Sequence, residues 1–216
     1  MKTITWAVPG GAIILAVAIC GIWNRPVVAE SPAPTSTGYI DEELRCEILY
    51  MKDLDQAARF AAIKARSIVE ALVRISQELD VRHTNRMKQI LAQYGWPDKS
   101  LVGEDGAFAA WLLVQHATHD VKFMEDCLVL MQAAAEKGEA SRKDVAYLID
   151  RVRIRQHKPQ LYGTQFKGLS DEEWTPEPIE DEEQVDERRK SVGLSTMVEQ
   201  MQNIRQAYVK PTPSPN

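Results

Sequence analysis

The sequence predicts a mainly α-helical fold: a single domain of five to seven helices with a short irregular or β-like segment at YGTQ (162–165). Between Ile40 and Arg155 apolar residues recur with a helical period, in runs that glycine and proline interrupt. After Pro159 this period disappears. The 216 residues, 44% of them hydrophobic, are enough to build one hydrophobic core.

A charge-free segment at the N-terminus predicts export. Ile4–Trp23 follows Lys2 without a charged residue, and Val27 and Ala29 supply the small residues that precede a cleavage site. The same segment is long enough to span a bilayer, so residues 4–23 could remain as a membrane anchor. We expect a periplasmic or envelope protein with a signal peptide or anchor at 1–29, a linker at 30–39, a helical domain at 40–209 and a disordered tail at 210–216.

Charge and missing motifs exclude several classes of function. A net charge of −5 argues against a nucleic-acid partner, because phosphate binding needs clustered Lys and Arg. The chain contains no HExxH, GxSxG or CxxC motif and no glycine-rich phosphate loop. Export would allow Cys46 and Cys127 to pair; the alternative is that each is a small, buried, apolar residue on a helix.

The first half of the helical domain is predicted from its apolar patterns. Leu44, Ile48 and Met51 fall on one helical stripe, which continues to Leu54 or Asp55. A further helix at Asp80–Gly95 ends at its glycine. Between these helices, a second apolar pattern runs through Phe60, Ile63, Ile68, Leu72, Val73 and Ile75.

The next helix, from about Glu104 to Thr118, is apolar around most of its circumference, which predicts a central, buried position. Another follows at Asp120–Lys137. Ser141 and Asp144 resemble a capping box that opens a helix to about Arg155. The predicted core residues of these last two helices are Val121, Met124, Leu128, Met131, Ala135, Val145, Leu148, Ile149 and Val152.

The segment after Pro159 has a different character. Residues 160–166, QLYGTQF, are predicted to be extended or looped. Asp171–Glu187 contains ten acidic residues and no Lys or Arg, so we expect a solvated surface strap anchored by Trp174 and Ile179. A last helix is predicted at Leu194–Tyr208.

The stretch WLLVQHATHD carries the main candidate chemistry. His116, His119 and Asp120 have i, i+3, i+4 spacing, so an unbroken helix would put all three on one face. Two imidazoles and a carboxylate could bind a metal ion or form a proton relay. Alternatively, Asp120 is the N-cap of the following helix, accepting from the backbone at Lys122 or Phe123, and the shared face is lost.

Several short blocks together resemble a bacterial family known as domain of unknown function 6624. These blocks are MKDLDQAAR (51–59), QYGWP (93–97), WLLVQHATHD (111–120), AYLIDRV (146–152), QLYGTQF (160–166) and PIEDEEQVDERRKSVGL (178–194). The order of QHxxHD and YGTQ is the most specific feature.

The family resemblance implies a set of recurring polar positions and no known activity. Relatives often have proline directly after the motif aspartate, where this chain has Val121, which favours Asp120 as an N-cap. They often have glycine before YGTQ, where this chain has 157–159, HKP. The polar positions that match the family are Asp55, Gln56, Arg59, His116, His119, Asp120, Asp150, Arg151, Gln160, Tyr162 and Gln165.

Together these features predict an exported hydrolase or group-transfer enzyme with a histidine-based acid/base site. The predicted catalytic residues are His116, His119 and Tyr162. Arg59 or Arg151 would bind an anionic group of a small molecule, peptide or glycan. The predicted substrate-binding residues are Asp55, Gln56, Arg59, Asp150, Arg151, Gln160 and Gln165.

No cofactor is predicted. A divalent metal, if bound, would be held by His116 and His119 with Asp120, Asp150 or His157. The alternative function is a non-catalytic envelope protein, binding or scaffolding, in which the His/Asp/Arg cluster is a structural network.

Overall fold

The computed structural model describes residues 40–64, 69–167 and 175–208, and they form the predicted mainly α-helical fold. The predicted signal segment, Trp174 and the 210–216 tail lie outside these ranges. Within them, no helix is long and apolar enough to cross a bilayer. The helices are α1 Glu42–Lys64, α2 Val69–Tyr94, α3 Lys99–His116, α4 Val121–Glu136, α5 Arg142–Arg155, α6 Val185–Ser191 and α7 Met197–Tyr208.

The α1 stripe is confirmed. Leu44, Ile48 and Met51 are at most 3% exposed, and each packs in the single core cluster. Asp55, one turn further along the same stripe, is only 2% exposed. A stripe that buries apolar side chains therefore carries a carboxylate into the interior, where it needs partners.

The second apolar pattern does not predict the core correctly. Phe60 on α1 and Val73 and Ile75 on α2 are all exposed. The fully buried residues of α2 are instead Met87 and Ile90, in its second half, and the helix as a whole contacts α1 and α3. Burial in α2 thus follows packing against these two helices rather than local hydrophobicity.

The α3 helix is the central helix, as predicted, and it contacts α1, α2, α4 and α5. Ala109, Ala110 and Val114 are fully buried. Asp98 caps a first short segment by accepting from Leu101 N at 3.0 Å, and the chain then kinks at Gly103, whose φ of 75° and ψ of 171° are not helical. The continuous helix therefore begins near Glu104, as predicted. It ends at His116, before the predicted Thr118.

The predicted caps of α4 and α5 are confirmed. Asp120 accepts from Phe123 N at 3.0 Å, and Ser141 Oγ accepts from Asp144 N at 3.3 Å. Because α3 stops at His116 and α4 starts after Asp120, the chain turns between the two histidines. The unbroken face of His116, His119 and Asp120 does not form.

The YGTQ segment is a loop with a small sheet beside it, as predicted. β1 (Phe166–Lys167) pairs antiparallel with β2 (Thr175–Pro176), and Gln160 bridges to Ile179. Gly163 has a φ of 66°, and a Cβ there would lie 2.5 Å from Met197 Sδ. Glycine is therefore required at this position both by its backbone conformation and by the close approach of α7.

The two cysteines within the described residues are unpaired. Cys127 is fully buried, and burial raises its pKa to about 12. Cys46 is exposed on α1, contrary to the expectation that it would be buried. The Cys127 thiol therefore lacks the environment of an activated nucleophile.

Candidate functional site

Four charged or titratable side chains from three helices meet beside the C-terminus of α3. His116 Nδ1 lies 3.0 and 2.9 Å from the two carboxylate oxygens of Asp55. Arg59 Nη2 lies 3.0 Å from Asp55 Oδ1, and the same nitrogen donates to Asp80 on α2. We call these four residues, Asp55, Arg59, Asp80 and His116, the central cluster.

The contacts of His116 determine its tautomer. Arg59 Nε lies 3.1 Å from Nδ1 and could donate to it if Nδ1 were unprotonated. In that tautomer, however, the Nδ1 lone pair would face the two carboxylate oxygens of Asp55 and be repelled by them. The favourable arrangement has the proton on Nδ1, shared with Asp55, while Arg59 Nε donates to Asp55 Oδ1 at 3.1 Å. Nε2 then carries the lone pair.

Burial and neighbouring charges set the protonation states of this pair. Burial lowers the pKa of His116, although Asp55 partly offsets it. Burial alone would raise the pKa of Asp55, but hydrogen bonds from His116 and Arg59 outweigh it and bring the pKa to about 2. At neutral pH the pair is therefore a carboxylate and a neutral imidazole.

Asp80 behaves differently from Asp55. Burial raises its pKa to about 6, and the nearby Asp55 carboxylate adds to the shift, against the opposing effect of Arg59. Asp55, Asp80 and His116 each offer a ligand atom within 4.8 Å of the others, so they form a group that could hold a metal ion. This set shares only His116 with the predicted ligands.

Arg151 on α5 lies next to the central cluster. Its Nη1 donates to the Gln115 carbonyl at 2.8 Å and its Nε donates to Gln165 Oε1 at 3.0 Å. Within the described residues, no carboxylate lies within ion-pair distance of this guanidinium. Burial, with Arg59 and Arg155 nearby, lowers its pKa to about 10, so it remains charged at neutral pH.

Several buried polar atoms around the central cluster lack a partner among the described residues. Both amide atoms of Gln115, which directly precedes His116, make no hydrogen bond, and neither do His83 Nδ1 and Thr84 Oγ1. Each of these residues is 2% exposed. Asp55, Arg59 and His116 all affect the pKa of His83, which burial lowers to about 4. Buried polar groups without a hydrogen-bond partner are rare in folded proteins and indicate a place for water or ligand.

Asp150 and Gln160 are fully engaged in holding the YGTQ loop. Asp150 accepts from Leu161 N and Tyr162 N and from both N and Oγ1 of Thr164. Gln160 donates to the carbonyls of Gln165 and Glu177 and accepts from Gln165 N. Their hydrogen bonds are internal, so the geometry favours a structural role for both.

The remaining predicted site residues lie outside the central cluster, although Gln56 contacts it. Gln56 Nε2 donates to Asp55 Oδ2 at 2.8 Å. Tyr162 lines a surface depression of about 380 Å³ together with Val145 and Val192. His119 and His157 are exposed. The Asp120 carboxylate already accepts hydrogen bonds from Phe123 N and Lys88 Nζ.

Within the described residues, neither His116 nor His119 hydrogen-bonds to Tyr162 or Gln165, and His116 bonds to Asp55 on α1 instead. The connection to Gln165 is indirect, through Arg151 and the Gln115 carbonyl.

Sequence reasoning missed four residues. Asp80 and His83 lie in DVRHT, where no apolar pattern marks them, although i, i+3 spacing puts both on one helix face. Gln115 lay inside the quoted WLLVQHATHD motif. Arg189, within VDERR, is 1% exposed and donates to the carbonyls of Tyr162 and Ser195.

Comparison with known proteins supports the family resemblance. Residues 42–211 match the family described as "Family of unknown function (DUF6624)", and the chain belongs to this family. Neither curated proteins nor solved structures provide a match.

Proposed function

We propose that this member of the DUF6624 family is an exported hydrolase or group-transfer enzyme that uses His116 as its general base on a substrate with an anionic group. The observation that carries the proposal is the contact of 2.9 Å between Asp55 and His116 Nδ1. A carboxylate that holds the Nδ1 proton leaves Nε2 free to accept a proton.

The protonation states support this role. An imidazole whose pKa is lowered by burial is neutral at pH 7, as a general base must be. The His116 side chain is 16% exposed, so a small substrate or water can reach part of the ring. The Asp55 side chain is only 2% exposed, so it is shielded from solvent and acts by orienting the imidazole ring rather than by contacting substrate.

Arg151 supports the choice of an anionic substrate. A partly buried guanidinium without a carboxylate among the described residues is costly unless an anion neutralises it. Arg59 is less suited to that task, because Asp55 and Asp80 already bind it. Gln115, whose backbone carbonyl accepts from Arg151, also has a side-chain amide without a hydrogen-bond partner among the described residues.

The proposed reaction transfers a group from the substrate to water or to a hydroxyl. His116 Nε2 takes the proton of water or of a substrate hydroxyl, and that oxygen forms a bond to the electrophilic centre. The bond to the leaving group breaks, and the leaving group receives the proton from Nε2.

A second candidate is a metal-dependent hydrolase, favoured by the close approach of Asp55, Asp80 and His116. The cation would polarise a water molecule for attack. It would have to displace Arg59, which already donates to both carboxylates. Protein purified without chelators would contain one equivalent of metal in this case, and Asp80→Asn would remove it.

Buried polar groups without hydrogen-bond partners would also suit the non-catalytic alternative, a protein that binds the same anion without turnover.

The test is incubation of the full chain with a collection of phosphorylated and carboxylated metabolites, followed by mass spectrometry. We expect one compound to be consumed, and His116→Gln to slow its consumption about 100-fold or more. Arg155→Gln, exposed and one turn beyond Arg151, is the control and should keep the rate.

If no compound is consumed in a His116-dependent manner, the enzyme proposal fails. Compounds that raise the melting temperature of the wild type but not of Arg151→Gln would then identify a binding protein.

The proposal of export has its own test. N-terminal sequencing of the mature protein should begin near Glu30, as the small-residue pattern at Val27 and Ala29 predicts. A full-length cytoplasmic chain would contradict it.

A further inference from the structure

A second candidate site lies away from the central cluster. A cavity of about 190 Å³ opens between the first half of α3 and the start of α5. We call it the aromatic pocket and define it by Trp96, Phe108, Trp111, Lys99, Glu104 and Asp144. The proposed reaction uses none of these residues.

The aromatic rings give the pocket an apolar side. Phe108 is 46% exposed, which is unusual for phenylalanine on a central helix. Its ring centroid lies 5.2 Å from that of Trp111 at an interplanar angle of 44°. Tyr147 packs edge-on against Trp111, with 6.1 Å between the ring centroids. Two aromatic rings are thus held in place with one of them open to solvent.

Two of the residues that line this pocket carry buried donors without acceptors. The indole N–H groups of Trp96 and Trp111 have no hydrogen-bond partner among the described residues. Both residues are more than nine-tenths buried, at 8% and 9% exposure. Buried indole N–H groups normally find a partner, so each of these two residues at the pocket carries an unmet donor.

Charged groups complete the rim with both donors and acceptors. Lys99 Nζ lies 3.3 Å from Glu104 Oε1, and both side chains reach solvent. Asp144 is half-buried, and burial raises the pKa of its carboxyl. The rim therefore presents an ammonium and two carboxyl groups around the aromatic rings.

We propose that the aromatic pocket binds a neutral sugar ring of a glycan. The C–H face of a sugar packs on the exposed Phe108 ring, while its hydroxyls donate to Glu104 or Asp144 and accept from Lys99. An organic cation would suit the rings and carboxyl groups but would offer no acceptor to the donors. An anion would be repelled by the carboxylates.

The test measures sugar binding by isothermal titration calorimetry on the full chain. The probes are three neutral trisaccharides: chitotriose, cellotriose and maltotriose. We expect at least one to bind saturably and Phe108→Ala to weaken its binding at least tenfold. Phe60→Ala is the matched control, because Phe60 is also an exposed phenylalanine, on α1, and this variant should bind as wild type does.

Asp144→Asn provides a second variant with the same shape, and it should also weaken binding while the melting temperature stays within the range of the control. Absence of binding to all three sugars would overturn the proposal, as would equal binding by Phe108→Ala. Saturable binding of tetramethylammonium instead, lost in Phe108→Ala, would overturn it in favour of a cation site.

Discussion

Asp55 and His116 are 61 residues apart in the chain and 2.9 Å apart in the fold. Their contact exists because α1 packs along α3 and carries Asp55 on the same stripe as Leu44, Ile48 and Met51. The apolar side chains align the two helices, and the carboxylate at the end of the stripe meets the imidazole at the end of α3. Hydrophobic packing thereby determines the geometry of the polar pair.

Replacing Asp55 with asparagine should lower the pKa of His116 further, because the carboxylate raises it against the effect of burial. NMR titration of the imidazole checks this without a known substrate. Turnover of the substrate should fall by about two to four orders of magnitude. Asp53→Asn, whose side chain is 70% exposed on the same helix, is the control and should change neither quantity.

Asp80 should make stability depend on pH between about 4 and 6. Its pKa is raised from 3.8 to about 6 on folding, so the folded state holds the proton more tightly than the unfolded state. Stability from this group is present below the unfolded pKa and is lost as pH rises through the folded pKa. The shift corresponds to about 3 kcal/mol.

Urea unfolding at several pH values measures this loss. Asp80→Asn should gain stability relative to wild type between pH 4 and pH 7, whereas Glu78→Gln, exposed and close by on α2, should show no such trend. A constant difference across this range would mean that Asp80 does not titrate there.

Asp150→Ala should destabilise the protein by about 3 kcal/mol or more, because three backbone N–H groups and a hydroxyl lose their acceptor. Hydrogen exchange at 161–165 should accelerate along with the fall in unfolding free energy. Asp53→Ala serves as the exposed control. A loss of activity without loss of stability would instead assign Asp150 to the substrate.

Asp120→Ala should cost about 1 kcal/mol through loss of the α4 cap. The exposed contact with Lys88 adds little. Asp126→Ala, on the exposed side of the same helix, is the comparison. Metal that is bound stoichiometrically by the wild type and lost in Asp120→Ala would revive the facial metal site predicted from the spacing.

Two truncations separate the strap from the tail. Ending the chain after Val209 should change the melting temperature little, since the 210–216 tail, KPTPSPN, has no apolar anchor. Ending it after Ser170 removes the buried Val185 and Arg189 and should cost about 3 kcal/mol or more. If the shorter chain melts like the wild type, the C-terminal segment is not part of the domain.

The sequence alone determined the features that depend on local interactions. The α1 stripe, the caps at Asp120 and Ser141 and the central position of α3 were all predicted, because helical period and capping act within a few residues. The second apolar pattern, by contrast, failed at Phe60, Val73 and Ile75, since an apolar residue is buried only where another element covers it.

Only the tertiary structure decided which polar groups meet. Asp55, Asp80 and His116 come from three helices, and no spacing along the chain encodes their approach. The family motifs identify Asp55, Asp150 and Arg151 equally as polar motif residues and do not predict how their environments differ. Packing gave Asp150 four internal donors, and it left Arg151 without a carboxylate among the described residues. That difference arises because hydrogen bonding depends on distances and directions in space, which residue types and periods do not specify.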